Sequence, residues 1–489
     1  MTSRQPMGKN QSSVLASAMA LLGAAITMAA TFGIARLVSS TEILGDAGVF
    51  FLTTTVISIV GTSTAFGTQV GLVYFMPGVL EDATPNPRGL CRVALGPVAL
   101  ASGLSAVAVF ALAGVMGDLF GGDQSADVSA VLRLLAPTIP AWSLTNGLLG
   151  GTRGLGTQTP TTVIQQIGRP LLQIVGLLGV MIFGELTPRS IALAWGIPVV
   201  LAAIASFGSL VALGGLHGSG ASPVSSPEYW TFVRPNAVST SLQIALERGD
   251  ILVIGAILGE VGAAVYGALS RYATAGNFIG YAITQAVSPN LRKAIAAGAE
   301  DRVKTQFHQA AGWMVIATLP YLLIVGIKTV PLADLLSDKY VPDARLLSFL
   351  VIGMIVNSLT GPVELHLLMR GHSTTTMQVT ALSLLTDIVL ILILANVFGL
   401  RGAAIAWAIS LAGKNLINTY LSGRWYGITS ASRPVAVATV ISVVAVVPIG
   451  LLTPNSYGGL AVTLAVASVI GLAGVAVKRA ELGLGGLQS

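Results

Sequence analysis

The sequence predicts an all-α, polytopic membrane protein with about fourteen transmembrane helices: two parallel six-helix repeat lobes followed by two C-terminal helices. Three observations predict it. Of 489 residues, 53% are hydrophobic and only 9% charged, which is more apolar surface than a soluble chain of this size can hide. Apolar runs long enough to cross a hydrocarbon core of about 30 Å, roughly 20 residues each, recur from end to end. Short signatures in the first half also return in the second at a nearly constant offset. In lipid every backbone polar group must be satisfied, so the alternatives are helices or a closed barrel, and these runs are too long and too evenly apolar for barrel strands.

The spans follow in order. The first, 14–38, comes after Arg4 and Lys9 and is about 25 residues long, too long for a signal-peptide core, so it reads as an uncleaved helix entering from the cytoplasm. The second, 47–74, opens behind Gly45-Asp46, and the third, 91–116, follows Arg88. The fourth, 128–150, runs from Asp127 to Thr152-Arg153-Gly154, while the fifth and sixth, 162–184 and 190–213, flank Glu185 and Arg189. The seventh and eighth, 236–258 and 261–287, are separated only by a Gly259-Glu260 break. Then come 310–330, 346–369, 374–398, 402–422, 434–452 and 458–477. Pro170, Pro198, Pro320 and Pro362 lie inside spans, where proline kinks or breaks a helix. The longest connections, 214–235 and 288–309, cannot hold a folded extramembrane domain.

Basic residues alternate sides as the positive-inside rule requires. Fifteen, among them Arg88, Arg153, Arg292, Arg370, Arg424 and Lys478, fall on one side and five on the other, which predicts both termini in the cytoplasm. The repeat links Gly45 to Phe50 with Gly262 to Tyr266, Thr152-Arg153-Gly154 with Met369-Arg370-Gly371, and Ala192 to Trp195 with Ala404 to Trp407, at offsets of 212 to 219 residues. It divides the chain into an N-terminal lobe 1–222, a C-terminal lobe 223–425 and two additional helices in 426–489. Parallel six-helix repeats suit alternating access.

The net charge of +6 encodes topology in such a chain, and no basic-aromatic patch points to nucleic acid. Cys91 is the only cysteine, which excludes an internal disulfide and a thiolate metal cluster. There is no nucleotide-binding Walker pattern, no metal-ligand cluster and no Ser-His-Asp arrangement, so no catalytic residues, metal or cofactor are assigned and the chain does not read as an enzyme. His308 and His366 lie near span ends and read as interfacial.

What remains is charge inside the spans, which costs about 2.5 to 3.5 kcal/mol each even on a lenient insertion scale. The cations are Arg36, Arg133, Arg169, Arg248, Arg271 and Lys414, and the acids Glu247, Asp250, Glu364 and Asp387 all fall in the second lobe. The first lobe's arginines therefore need an outside anion, lipid phosphate or water. A planar guanidinium suits phosphate oxygens, so Arg36, Arg169, Arg248 and Arg271 are candidates for an anionic headgroup. The acids have two readings. They neutralise neighbouring cations, for instance Asp387 with Lys414 or Glu247 with Arg271, or they load and release a proton or sodium ion, with Asp387 and Asp250 first and Glu247 and Glu364 after them.

Several stretches resemble the multidrug/oligosaccharidyl-lipid/polysaccharide exporter superfamily, specifically its polysaccharide-type, lipid-linked oligosaccharide flippases. They are Ala35-Arg36-Leu37 followed by Leu44 to Phe50, Arg248 to Gly255 followed by Val265 to Ala268, Leu335 to Tyr340 before Ala344 to Leu347, and Phe398 to Ala406. The resemblance implies a V-shaped pair of bundles with a cationic central cavity. It further implies transfer of a polyprenyl-(pyro)phosphate-linked oligosaccharide from the cytoplasmic to the outer leaflet of a bacterial inner membrane, for cell-surface polysaccharide biosynthesis. Arg36 and Arg271 match arginines that recur in that cavity, although this chain lacks a dense arginine cluster within one helix. Glycosyltransferases and a polymerase or ligase are the implied partners. The alternatives are a cation-coupled drug or small-molecule exporter of the same superfamily, which would prefer an acidic first-lobe pocket, and a membrane glycosyltransferase, which would need acids in a substantial outer loop.

Overall fold

The structure, a computed structural model, describes residues 9–82, 84–478 and 481, with side chains from residue 22 onward other than that of residue 285. Among the described residues there is no strand. The chain divides into two compact units, Met1–Ile244 and Ala245–Ser489.

The first unit contains α1 (Lys9–Val38), α2 (Leu44–Thr64), α3 (Thr68–Glu81), α4 (Pro87–Phe120), α5 (Ser125–Leu135) and α6 (Thr138–Gly154). A π-helical turn, Thr161–Gly168, then leads into α7 (Arg169–Phe183), followed by α8 (Pro188–Ala212). The boundary between the units falls within α9 (Ser226–Ala296). The second unit continues with α10 (Glu300–Ile327), α11 (Thr329–Leu336), α12 (Leu346–Thr360), α13 (Val363–Met369), α14 (Ser373–Tyr426), α15 (Arg433–Leu452) and α16 (Tyr457–Lys478).

Nine helical stretches are long and apolar enough to cross a membrane, and two bent pairs, α5 with α6 and α12 with α13, add two more. Two of the nine, α9 and α14, are each a pair of helices folded back at one glycine, Gly259 at φ 71° and Gly399 at φ 58°. With the shorter apolar α1 the described residues give fourteen segments, as the sequence predicts. Both hairpins turn on a backbone conformation that only glycine adopts without strain. Helices overrun their apolar cores; α10, for example, begins at Glu300 rather than at 310.

Lipid-facing surfaces follow helical periodicity. Leu100, Leu104, Val107 and Phe110 of α4 are all more than half exposed, one apolar face turned outward. Inside the first unit, Leu72, Met76, Leu90, Leu210 and Tyr229 pack as a buried cluster. In the second, Leu291, Val303, Phe307, Val363 and Ile428 do so. Within the second unit the end of α15 is tied to the residue between α10 and α11, Lys328, which is 1% exposed. Its ammonium donates to the carbonyls of Gly450 and Thr453 and to the Thr453 hydroxyl, each at 2.8 Å, and to the Pro454 carbonyl at 3.0 Å. These carbonyls end α15, where a cation satisfies orphan acceptors and the helix dipole together.

Candidate functional site

In the second unit the two glycine hairpins set two carboxylates at one depth. Asp250 lies nine residues before Gly259 and Tyr266 seven after, so the fold-back places them opposite each other, about 10–14 Å from the turn at 1.5 Å per residue. Asp387 lies twelve residues before Gly399 and Ser410 eleven after, about 17 Å from the turn by the same rise. Half of a hydrocarbon core is about 15 Å, so both pairs fall near the bilayer midplane. Asp250 and Asp387 are 5% and 1% exposed, and each carboxylate lies within electrostatic reach of the other.

Tyr266, fully buried, is in reach of both carboxylates, and its hydroxyl faces Asp250 without closing a hydrogen bond. The backbone N–H of Ile251 donates to Asp250 Oδ1 at 2.8 Å. Ser410 Oγ faces Asp387, yet neither it nor Asp387 Oδ1 has a hydrogen-bond partner among the described residues. Ser383 Oγ, one helical turn before Asp387, donates to the Ser410 carbonyl at 2.7 Å and locks the two strands of the hairpin in register. Arg271 acts on Asp250 and is in turn repelled by Arg248, so both guanidiniums border Asp250. The guanidiniums balance Asp250, whereas Asp387, buried beside it, has no cation among its electrostatic neighbours in the described residues and so favours a proton or a bound cation. Among the described residues no group of three or more His, Cys, Asp or Glu side chains is placed to hold a metal ion.

Lys414 is 3% exposed and pairs with Glu364 at 3.0 Å. This corrects the expected Asp387–Lys414 pairing. The bend between α12 and α13 carries Glu364 to the lysine, and a helix break of that kind does not show in hydropathy. Glu364 also lines a cavity of about 410 Å³ whose polar lining includes Asn277, Thr318, Asn357, Ser358 and Asn415. Glu247 is exposed, and it acts electrostatically on Arg248.

In the first unit, Arg169 lies over the Trp142 ring at 4.8 Å from the ring centroid, and Trp142 stacks on Trp195 at 5.8 Å. The ring's negative face partly compensates the guanidinium charge. Sequence explains the local geometry. Pro170 has no N–H to give the Gln166 carbonyl four residues before it, and the helix widens to a π turn in which Arg169 N–H bonds Ile164 O. Thr27 of α1 supplies the missing donor, its hydroxyl reaching Gln166 O at 2.9 Å. Arg36 sits in the last turn of α1 and is exposed.

The structure thus brings Arg248, Asp250, Arg271 and Asp387 together and joins Glu364 to Lys414, while Arg36 and Arg169 belong to the other unit. Sequence reasoning missed Tyr266, Ser410 and Trp142. For Tyr266 and Ser410 the signal is distance from a turn, which becomes readable only once Gly259 and Gly399 are known to fold the chain back; Trp142 meets Arg169 through packing that the sequence does not show.

No protein-family model matches the sequence, and no curated protein matches it. Solved structures do. The chain has the fold of transporters of the MOP superfamily, the multidrug/oligosaccharidyl-lipid/polysaccharide exporters. The lipid II flippase MurJ in an inward closed conformation matches with a TM-score of 0.71 at 13% identity, over 95% of this chain and 99% of that one. An inward-facing multidrug resistance MATE family transporter matches with a TM-score of 0.66 at 16% identity, over 81% of this chain and 93% of that one. A MOP superfamily transporter from Pyrococcus furiosus matches with a TM-score of 0.61 at 15% identity, over 84% and 94%.

Proposed function

We propose that the protein is a flippase that moves a polyprenyl-(pyro)phosphate-linked oligosaccharide from the cytoplasmic to the outer leaflet by alternating access, coupled to a proton or sodium ion. The observation that carries this reading is the pairing, in one lobe, of guanidiniums suited to an anionic headgroup with two midplane carboxylates, of which Asp387 favours a proton or a bound cation. Arg248 and Arg271 hold the (pyro)phosphate beside the coupling pair Asp250 and Asp387, and Arg36 and Arg169 are the candidate anion ligands of the first unit. Glu364 is set aside for Lys414 and contributes structure. Coverage of 95% of the chain by a lipid II flippase, against 81% by a MATE transporter, supports a flippase over a drug exporter. The cell-surface polysaccharide role, the bacterial inner membrane, cytoplasmic termini and neighbouring glycosyltransferases with a polymerase or ligase belong to the same proposal.

The test is the leaflet distribution of lipid-linked sugar in cells depleted of the protein, complemented with wild type or with Arg36→Ala plus Arg271→Ala. Accumulation on the cytoplasmic face that only wild type clears is the expected result. A normal distribution of every sugar lipid after depletion overturns the reading. Cation-driven drug efflux by wild type would then favour the exporter, the reading that the MATE likeness supports.

A further inference from the structure

The second helix of the α14 hairpin carries Ser410, Lys414, Asn418 and Ser422, spaced four residues apart and 2%, 3%, 0% and 0% exposed. Residues four apart share one face of a helix, each about 6 Å further along the axis. The row therefore runs about 18 Å, from Asp387 at the midplane to the Tyr426 end of the hairpin. The first helix answers with a row of its own, Thr376, Thr380, Ser383 and Asp387, all buried. Packing between membrane helices requires no such ladder. Each buried polar group left without a partner costs about 1–3 kcal/mol.

Four atoms of this ladder lack partners among the described residues: Asp387 Oδ1, Ser410 Oγ, and both Oδ1 and Nδ2 of Asn418. The lower end, by contrast, is fully connected. Ser422 Oγ donates to the Ile428 carbonyl at 2.8 Å and meets His366 Nδ1 at 3.1 Å, while Arg370 Nε donates to His366 Nε2 at 3.3 Å. Arg370 Nη1 donates to Glu300 Oε1 at 2.8 Å. These bonds assign the His366 proton to Nδ1 and tie the ladder to charged groups at the protein's edge. Buried polar atoms without partners are the usual hosts of internal water, and rungs about 6 Å apart are the spacing that one water bridges.

We propose that this ladder is a proton path, linking Asp387 to the end of the hairpin that the charge distribution assigns to the cytoplasm. The inference rests on the cation-coupled reading above and names the ion and its route. Hydroxyl and amide side chains both donate and accept, as relay through bridging water requires. A metal ion moving along this row would need oxygen ligands at each rung, and the Lys414 ammonium, which has donors only, offers none. A proton passes by exchange of O–H partners. The Asp387 carboxylate takes a proton from the adjacent water, that water takes one from the next, and the last takes one from bulk, so one O–H bond breaks and one forms at each step. The charged and titratable groups facing Asp387 are Asp250 and Tyr266 from α9, and Lys414, held by Glu364, lies one turn beyond Ser410 on its own hairpin.

The test uses the full-length protein in lipid membranes without substrate. After a pH jump between about 9 and 4, the infrared carboxyl band that Asp387→Asn removes is followed in time. Asn418→Leu, close in size and free of unsatisfied atoms, is expected to slow its appearance about tenfold or more. Ser410→Ala should slow it as well, and Ser442→Ala, buried on α15 away from the ladder, should leave it unchanged. Equal rates in wild type and both ladder variants overturn the path. So does the absence of any band, at either pH, that depends on Asp387. Because no sugar lipid is involved, a slowed band alongside a normal leaflet distribution would retain the path and reject the flippase.

Discussion

In each compact unit the fourth membrane segment is broken at a proline and bends by nearly the same angle, 47° between α5 and α6 and 48° between α12 and α13. The two breaks are built differently. In the first unit Ala136 and Pro137 both keep right-handed helical conformation, φ −50° and −62°, so the bend comes from lost hydrogen bonds alone. In the second, Gly361 turns to φ 64° before Pro362, a reversal that the backbone itself holds. Each bend sets a side chain against a cation, half-buried at the first and buried at the second. Beyond the first lies Trp142, under Arg169, and beyond the second lies Glu364, on Lys414. A shared outline thus serves two chemistries: a guanidinium set over an aromatic face, and an ammonium paired with a carboxylate.

The largest expected effect comes from breaking that pairing. Glu364→Leu leaves Lys414 buried without its carboxylate and should lower thermal stability by about 3 kcal/mol, at the low end for a buried pair because Glu364 is 37% exposed. Lys414→Met added to Glu364→Leu should restore most of the loss, since two apolar side chains replace the pair. A double-mutant cycle by thermal melting in detergent decides it; additive losses would mean that the two side chains do not depend on each other.

Next in size is the glycine at the second bend. A methyl group at Gly361 would lie 2.5 Å from Ala311 Cβ and would also have to adopt positive φ. Gly361→Ala should therefore cost about 2 kcal/mol in the same melting assay. An unchanged melting temperature would show that α12 and α13 can join without that reversal.

Sequence made much of this legible. Span count, the Gly259 break and the list of embedded charges follow from transfer energetics, because a bilayer penalises polar groups residue by residue. Pairing was not legible. Whether Asp387 or Glu364 meets Lys414 depends on helix rotation and on the α12–α13 bend, both set by packing rather than by composition. The division at Thr64–Thr68, where Phe66 takes φ 49° and Gly67 φ 62°, also lies inside an unbroken apolar run. The Ser410, Lys414, Asn418 and Ser422 row was visible as a four-residue spacing, but it gained meaning only once all four proved buried.

The smallest effect separates the two bends most cleanly. At the first, only proline chemistry interrupts the helix, so Pro137→Ala can close the missing hydrogen bond and let α5 and α6 approach one straight helix. At the second, Gly361 still reverses the chain in Pro362→Ala, and the bend should persist. Eleven and seventeen residues at 1.5 Å each meeting at 47° lie about 3 Å closer end to end than when straight. Spin labels at Ala126 and Leu155, in a Cys91→Ser background, should move apart by about that much in Pro137→Ala. Stability should change by about 0.5 kcal/mol either way, because proline's stiffening of the unfolded chain is traded for a helix bond. The same pair of measurements across α12 and α13 should give no lengthening. Lengthening in both would mean that proline alone makes both bends; lengthening in neither would place the first bend in the packing around Trp142 and Trp195.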